Sequence, residues 1–135
     1  MTKVITISSG KGGVGKTTSA INLGAALNYF GKDVIVVDAN LTTPNIGIHL
    51  GAPIVPVSLN HVLSGKAKIS DAIYEHNSGM KIIPSSLSVK ELRKLNSNGR
   101  LKEVSKKLRK LSDFIIFDSA AGLGDEAIAS LEAAD

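Results

Sequence analysis

At 135 residues, 43% hydrophobic and 21% charged, the chain matches one globular domain with a core of its own, and no apolar run reaches membrane-spanning length. The absence of cysteine excludes disulfides, thiol catalysis and thiolate metal sites within it, and 4% aromatic content leaves little to stack on single-stranded nucleic acid. The net charge of +4 is concentrated, because Lys90 to Lys110 carry nine of the sixteen basic residues against two of the twelve acidic ones.

Val4-Ile5-Thr6-Ile7 centres a strand expected over Thr2 to Ser8. Behind it, Gly10-Lys11-Gly12-Gly13-Val14-Gly15-Lys16-Thr17-Thr18 satisfies G-x-x-x-x-G-K-[ST], the phosphate-binding loop pattern, with further glycines inside. Glycines allow a tight curl in which successive N–H groups converge on an anion. Ser19 to Phe30 reads as the helix that the motif requires, and its N-terminus adds unpaired N–H groups. In this arrangement Lys16 reaches the β- and γ-phosphates and the Thr17 hydroxyl ligates Mg²⁺. Ala20, Leu23, Gly24 and Leu27 recur at helical spacing, a face whose small residues could pack closely on a sheet, and Gly31 is placed to end the helix.

Asp33 to Asp38, with Val34-Ile35-Val36-Val37 continuously apolar, reads as a strand buried on both faces. A right-handed crossover makes it parallel to the first, so both deliver their carboxyl ends to one ligand-binding edge. From Ala39 to Pro56 the proline and glycine content predicts an irregular switch-like loop. Short helices are expected over Ser58 to Leu63 and about Ser70 to Glu75, then a strand from Met80 to Ile83. Val89 to Leu95 and Leu101 to Leu111 read as basic helices, the second with a buried stripe of Leu101, Val104, Leu108 and Leu111. Phe114 to Asp118 is a further strand, and Asp125 to Ala134 a last helix.

An apolar strand ending in Asp118 and leading into Ser119-Ala120-Ala121-Gly122 has the form of the second element of a phosphate site. The carboxylate sits beside Mg²⁺, and Gly122 allows a backbone amide to approach the γ-phosphate. Asp38 ends its strand in the same way. His49, His61 and His76 lack metal-ligand spacing and read as surface or capping residues. The basic stretch Lys90 to Lys110 reads as a solvated helix face above its apolar stripe, ahead of a DNA or anionic-membrane surface.

Lys11 at the second position of the loop gives K-G-G-V-G-K-T-T, which resembles the deviant Walker A loop of the MinD/ParA ATPases. Asp38 through Asn45 and Asp118 through Gly122 match that family in order and spacing, and the wording is most similar to its MinD branch, particularly the archaeal members. The resemblance implies an α/β P-loop NTPase fold, a mostly parallel sheet with helices on both faces. Residues 1–135 would then form the N-terminal portion of a single, truncated ATPase domain, with the Asp118 strand between the first two. It implies ATP and Mg²⁺ as ligands, bound by Gly10 through Thr18, Asn45 and Gly122, with Thr17 and Asp118 at the metal. Lys11, Lys16, Asp38 and Asn40 take the catalytic positions, Lys11 reaching across an ATP-dependent homodimer to the partner's phosphates.

The family role is division-site placement or spatial organisation, in the cytoplasm or peripherally at the membrane. A regulatory protein is an expected partner, the membrane would be reached through a C-terminal helix beyond this chain, and DNA is the lesser expectation. ParA-type partition ATPases and iron–sulfur carrier ATPases are the alternatives, although the carriers need cysteines. One departure bears on chemistry. The family's D-x-D is here Asp38-Ala39-Asn40, and Asn40 can orient water but cannot take its proton. A nucleotide-gated interaction module with little turnover is therefore a further alternative.

Overall fold

The computed structural model describes residues 1–41, 43–51, 55–86 and 100–135. Strand β1 (Lys3–Ile7) leads through the glycine-rich loop into helix α1 (Lys16–Tyr29), followed by β2 (Val34–Ala39) and the short helices α2 (Ile46–His49) and α3 (Leu59–Leu63). A 3-10 turn (Ile69–Ala72), β3 (Tyr74–Glu75), β4 (Lys81–Ile83), α4 (Arg100–Leu108), β5 (Phe114–Ser119) and α5 (Asp125–Ala133) complete the order. The helix expected over Val89 to Leu95 lies outside the described residues.

The sheet runs β1-β5-β2-β4-β3, parallel except for the antiparallel β3–β4 pair. The Asp118 strand thus lies between the first two, as the family resemblance implied. Register does the positioning: Ile7 and Asp38 both pair with Asp118 across neighbouring strands, so three strand ends share one row.

Side chains of β2 alternate between two cores. Val34 and Val36 join Ala20, Met80, Ile82 and Ile116 beneath α1, while Ile35 and Val37 join Ile83, Ile115, Phe117, Leu101, Val104, Leu108 and Ala129 beneath α4 and α5. Helices therefore cover both faces, and β2 is buried along its whole length.

Helix α1 begins earlier than its apolar spacing suggested, at Lys16. Gly15 takes φ 96°, a left-handed turn that glycine tolerates without steric cost, and this brings Lys16, Thr17 and Thr18 into the first turn. At the other end the Lys32 amide donates to Leu27 O and the Gly31 amide to Asn28 O, with Gly31 at φ 83°, a Schellman close.

Three expectations are corrected. Ser70 to Glu75 forms no α-helix: a 3-10 turn ends at Ala72, and Tyr74 then pairs with Ile82 in the sheet. The Tyr74 hydroxyl also donates to Val57 O at 2.8 Å, fixing the ring away from any helical path. The stripe of α4 stops at Leu108, since the helix ends there and Leu111 is 45% exposed. The supposedly irregular stretch after Ala39 contains α2. No helix among the described residues is long and apolar enough to cross a membrane.

Candidate phosphate-binding site

At the carboxyl edge of the sheet lies an open cavity of about 450 Å³, lined by Gly12 through Thr18 together with Asn40, Thr43, Asn45, His49 and Ala121. The loop reaches its curl through two left-handed glycines, Gly13 at φ 69° and Gly15 at φ 96°. Gly12 lies close to the second strand-end loop, where a Cβ on it would meet Ala121 Cβ at 3.7 Å.

The Thr17 hydroxyl donates to Asp118 Oδ2 at 2.6 Å, and both residues are buried. The other carboxylate oxygen, Oδ1, is buried with no hydrogen-bond partner. Burial raises the pKa of Asp118, opposed by the Thr17 hydroxyl bond and by the nearby Lys16 and His49. A hydroxyl oxygen and an unpartnered carboxylate oxygen at one corner form a hard-oxygen donor set that fits Mg²⁺ with its remaining positions left to phosphate and water. Among the described residues no cluster of three or more His, Cys, Asp or Glu could hold a metal without such help.

Asp38 occupies a different position. It is fully buried and absent from the cavity wall. Its Oδ2 accepts the amides of Asn45 and Ile46 at 2.9 and 3.1 Å, and its Oδ1 that of Asn40 at 3.2 Å. Burial drives its pKa up to about 7, with those amide bonds pulling it down and the neighbouring Asp118 pushing it up. The carboxylate therefore ties the start of α2 to the end of β2. Asn40 does line the cavity, and its Oδ1 accepts both the amide and the hydroxyl of Thr43 at 3.2 and 3.0 Å.

The remaining expected residues divide. Lys16 lines the cavity with its Nζ 3.3 Å from Lys11 O. Lys11 itself is exposed and lies outside the lining. Gly10 lies at the start of the loop, also outside the wall. Gly122 takes φ 85°, but its amide donates to Ser9 O at 3.1 Å and so is not turned toward a ligand. Sequence reasoning overlooked Thr43 and His49. Asn45 and His49 are four residues apart, the spacing of one helix face, and that signal was hidden by reading the stretch as irregular. Ser85 was also missed, and its hydroxyl donates to Asp38 O at 2.5 Å.

A glycine-rich loop between a strand and a helix, with the helix's first hydroxyl bonded to a neighbouring strand-end carboxylate, defines a P-loop nucleotide-binding fold. Comparison with known proteins narrows the class. A family model described as an AAA domain (AAA_31) matches residues 2–135. An uncharacterised ATP-binding protein of Methanocaldococcus jannaschii is 43% identical over 135 residues, covering 100% of this chain and 51% of that protein. The septum site-determining protein MinD of Thermotoga maritima is 36% identical over 127 residues, 91% of this chain and 46% of its own length. The structure of septum site-determining protein MinD from Pyrococcus horikoshii complexed with Mg-ADP superposes with a TM-score of 0.92 at 39% identity, over 99% of this chain and 55% of that one. The chain belongs to the MinD/ParA family of P-loop ATPases. It spans about half the length of the curated relatives it matches.

Proposed function

We propose that this chain carries the phosphate- and metal-binding half of a Mg²⁺-dependent ATPase of the MinD kind. In this reading a nucleotide-dependent homodimer acts in division-site placement or spatial organisation. One observation carries the proposal: Thr17 donates to Asp118 Oδ2 while Asp118 Oδ1 stays buried and unpartnered, at the edge of a cavity walled by Gly12 through Thr18. The loop amides and the start of α1 hold the phosphate tail, and Lys16 exchanges its bond to Lys11 O for phosphate oxygens. Thr17 and Asp118 hold Mg²⁺, which when bound neutralises charge on the β- and γ-oxygens. In this reading Lys11, which is exposed and outside the cavity wall, serves a second protomer rather than its own site.

Titration calorimetry with Mg-ATP and Mg-GTP tests the binding step. ATP binding that Lys16→Ala weakens by at least about a hundredfold is the expected result, the loss of a charge-assisted phosphate contact costing on the order of 3 kcal/mol. No binding of either nucleotide would refute the proposal. A second reading, a nucleotide-gated module with little turnover, is favoured by Asn40 in place of a carboxylate at the cavity wall. Phosphate release, measured with and without anionic lipid or DNA, separates the two.

A further inference from the structure

His49 lines the cavity without belonging to the phosphate loop or to the metal corner. It sits at the end of α2, whose first amides are held by the buried Asp38 carboxylate, so the helix is anchored at one end and exposed at the other. Its ring Nδ1 lies 3.0 Å from Asn45 O. A carbonyl only accepts, so Nδ1 carries the hydrogen of that bond and Nε2 is the nitrogen left to meet a ligand. Lys16, at the start of α1, lines the same cavity. The ring rests on the Asn45 carbonyl, the Asn45 amide is held by Asp38, and Asp38 pairs in register with Asp118, so α2 starts on the Asp118 side of the cavity, at the metal corner. In a P-loop that corner takes the β- and γ-phosphates.

We propose that His49 is the contact between α2 and the terminal phosphate of a bound nucleoside triphosphate, made through Nε2, so that α2 distinguishes triphosphate from diphosphate. The inference rests on the nucleotide reading of the cavity. It deepens that reading by assigning the discrimination to a side chain outside the phosphate loop. Against a phosphate the ring donates through both nitrogens, Nδ1 to Asn45 O and Nε2 to the phosphate oxygen. In a diphosphate complex that oxygen is absent and the ring loses its partner. The tie between Asp38 and the start of α2 then remains as the helix's tether to the sheet.

The test is equilibrium binding of Mg-ADP and of a non-hydrolysable Mg-ATP analogue to the protein and to its His49→Ala and His49→Gln variants. His49→Ala should weaken the triphosphate analogue about tenfold, the worth of one charge-assisted hydrogen bond, and change ADP affinity by less than about twofold. His49→Gln should recover part of the loss, because its amide can donate from a similar distance. Retained ADP binding in both variants serves as the check on folding. Equal weakening of both nucleotides, or no change in either, overturns the role of His49 while leaving the nucleotide site in place. Failure of the unsubstituted protein to bind either nucleotide overturns the nucleotide reading, and this inference with it.

Discussion

Asp38 and Asn40 divide between them the work that two carboxylates would otherwise share. Asp38 is 0% exposed, and its three amide bonds offset burial only in part, leaving the group most easily charged above about pH 7. The folded protein then holds a proton that the unfolded chain releases near pH 3.8, so Asp38 favours folding below that value and the benefit is lost as pH rises through about 7. Replacing Asp38 with Asn keeps an acceptor for the α2 amides and removes the titration. The stability of the unsubstituted protein relative to Asp38→Asn should therefore fall as pH rises from about 4 to about 7, as read from urea midpoints across that range. Asn40 has a different weakness: it can hold Thr43 and orient water but cannot take a proton. Asn40→Asp preserves both bonds to Thr43, since a carboxylate accepts them equally well, and places a base at the cavity wall. Single-turnover hydrolysis should rise by about 10²-fold, the lower end of what a positioned general base contributes. An unchanged rate would show that Asn40 has no part in positioning water.

Helix α1 packs on the sheet closely enough that one of its residues has to be glycine. A Cβ on Gly24 would stand 2.6 Å from Val36 Cγ2 and 2.7 Å from Met80 Sδ, both in the buried core. Methionine can swing aside, whereas a β-branched valine in a central strand cannot. Gly24→Ala should therefore destabilise by about 1–3 kcal/mol despite alanine's better helix propensity, visible as a lower denaturation midpoint. The close approach matters for the site because α1 carries Lys16 and Thr17 at its start. A helix pushed off β2 would move Thr17 from Asp118. Elements on the other side of the sheet hold fewer surprises for the site. There α4 presents Leu101, Val104 and Leu108 to the core and leaves Lys102, Lys106 and Lys107 in solvent, Lys106 paired with Glu103 at 2.9 Å. Such an exposed pair contributes little to stability. The short element β3 was misread because Ser70-Asp71-Ala72 carries helix-start chemistry. Asn77-Ser78-Gly79 just beyond it marks the turn of a hairpin, closed by the His76 amide on Met80 O at 2.8 Å with Gly79 at φ 90°.

For the molecule as a whole, a ligand that binds the folded state alone must raise its melting temperature. With Mg-ATP at about a hundred times its dissociation constant the gain is about 2.7 kcal/mol, enough for a shift of several degrees in a thermal melt. A melt unmoved by Mg-ATP would count against the site. Much of this architecture could be read from consecutive residues. The glycine-rich loop, the strand before it, the helix after it and the doubly buried β2 each follow from local spacing and from the backbone angles glycine permits. The order of the strands came by resemblance, and the register gave it physical form by setting Asp38 and Asp118 side by side. Contacts between distant segments were not legible in this way. Thr17 and Asp118 meet across 101 residues of sequence, and only the packing of α1 against β5 brings the hydroxyl to the carboxylate. The same holds for His49, whose spacing from Asn45 shows a shared helix face but not that the face walls the cavity, and for Asp38, whose buried carboxylate serves the amides of α2. Local chemistry is written along the chain because it depends on neighbours in sequence, whereas burial and convergence depend on neighbours in space.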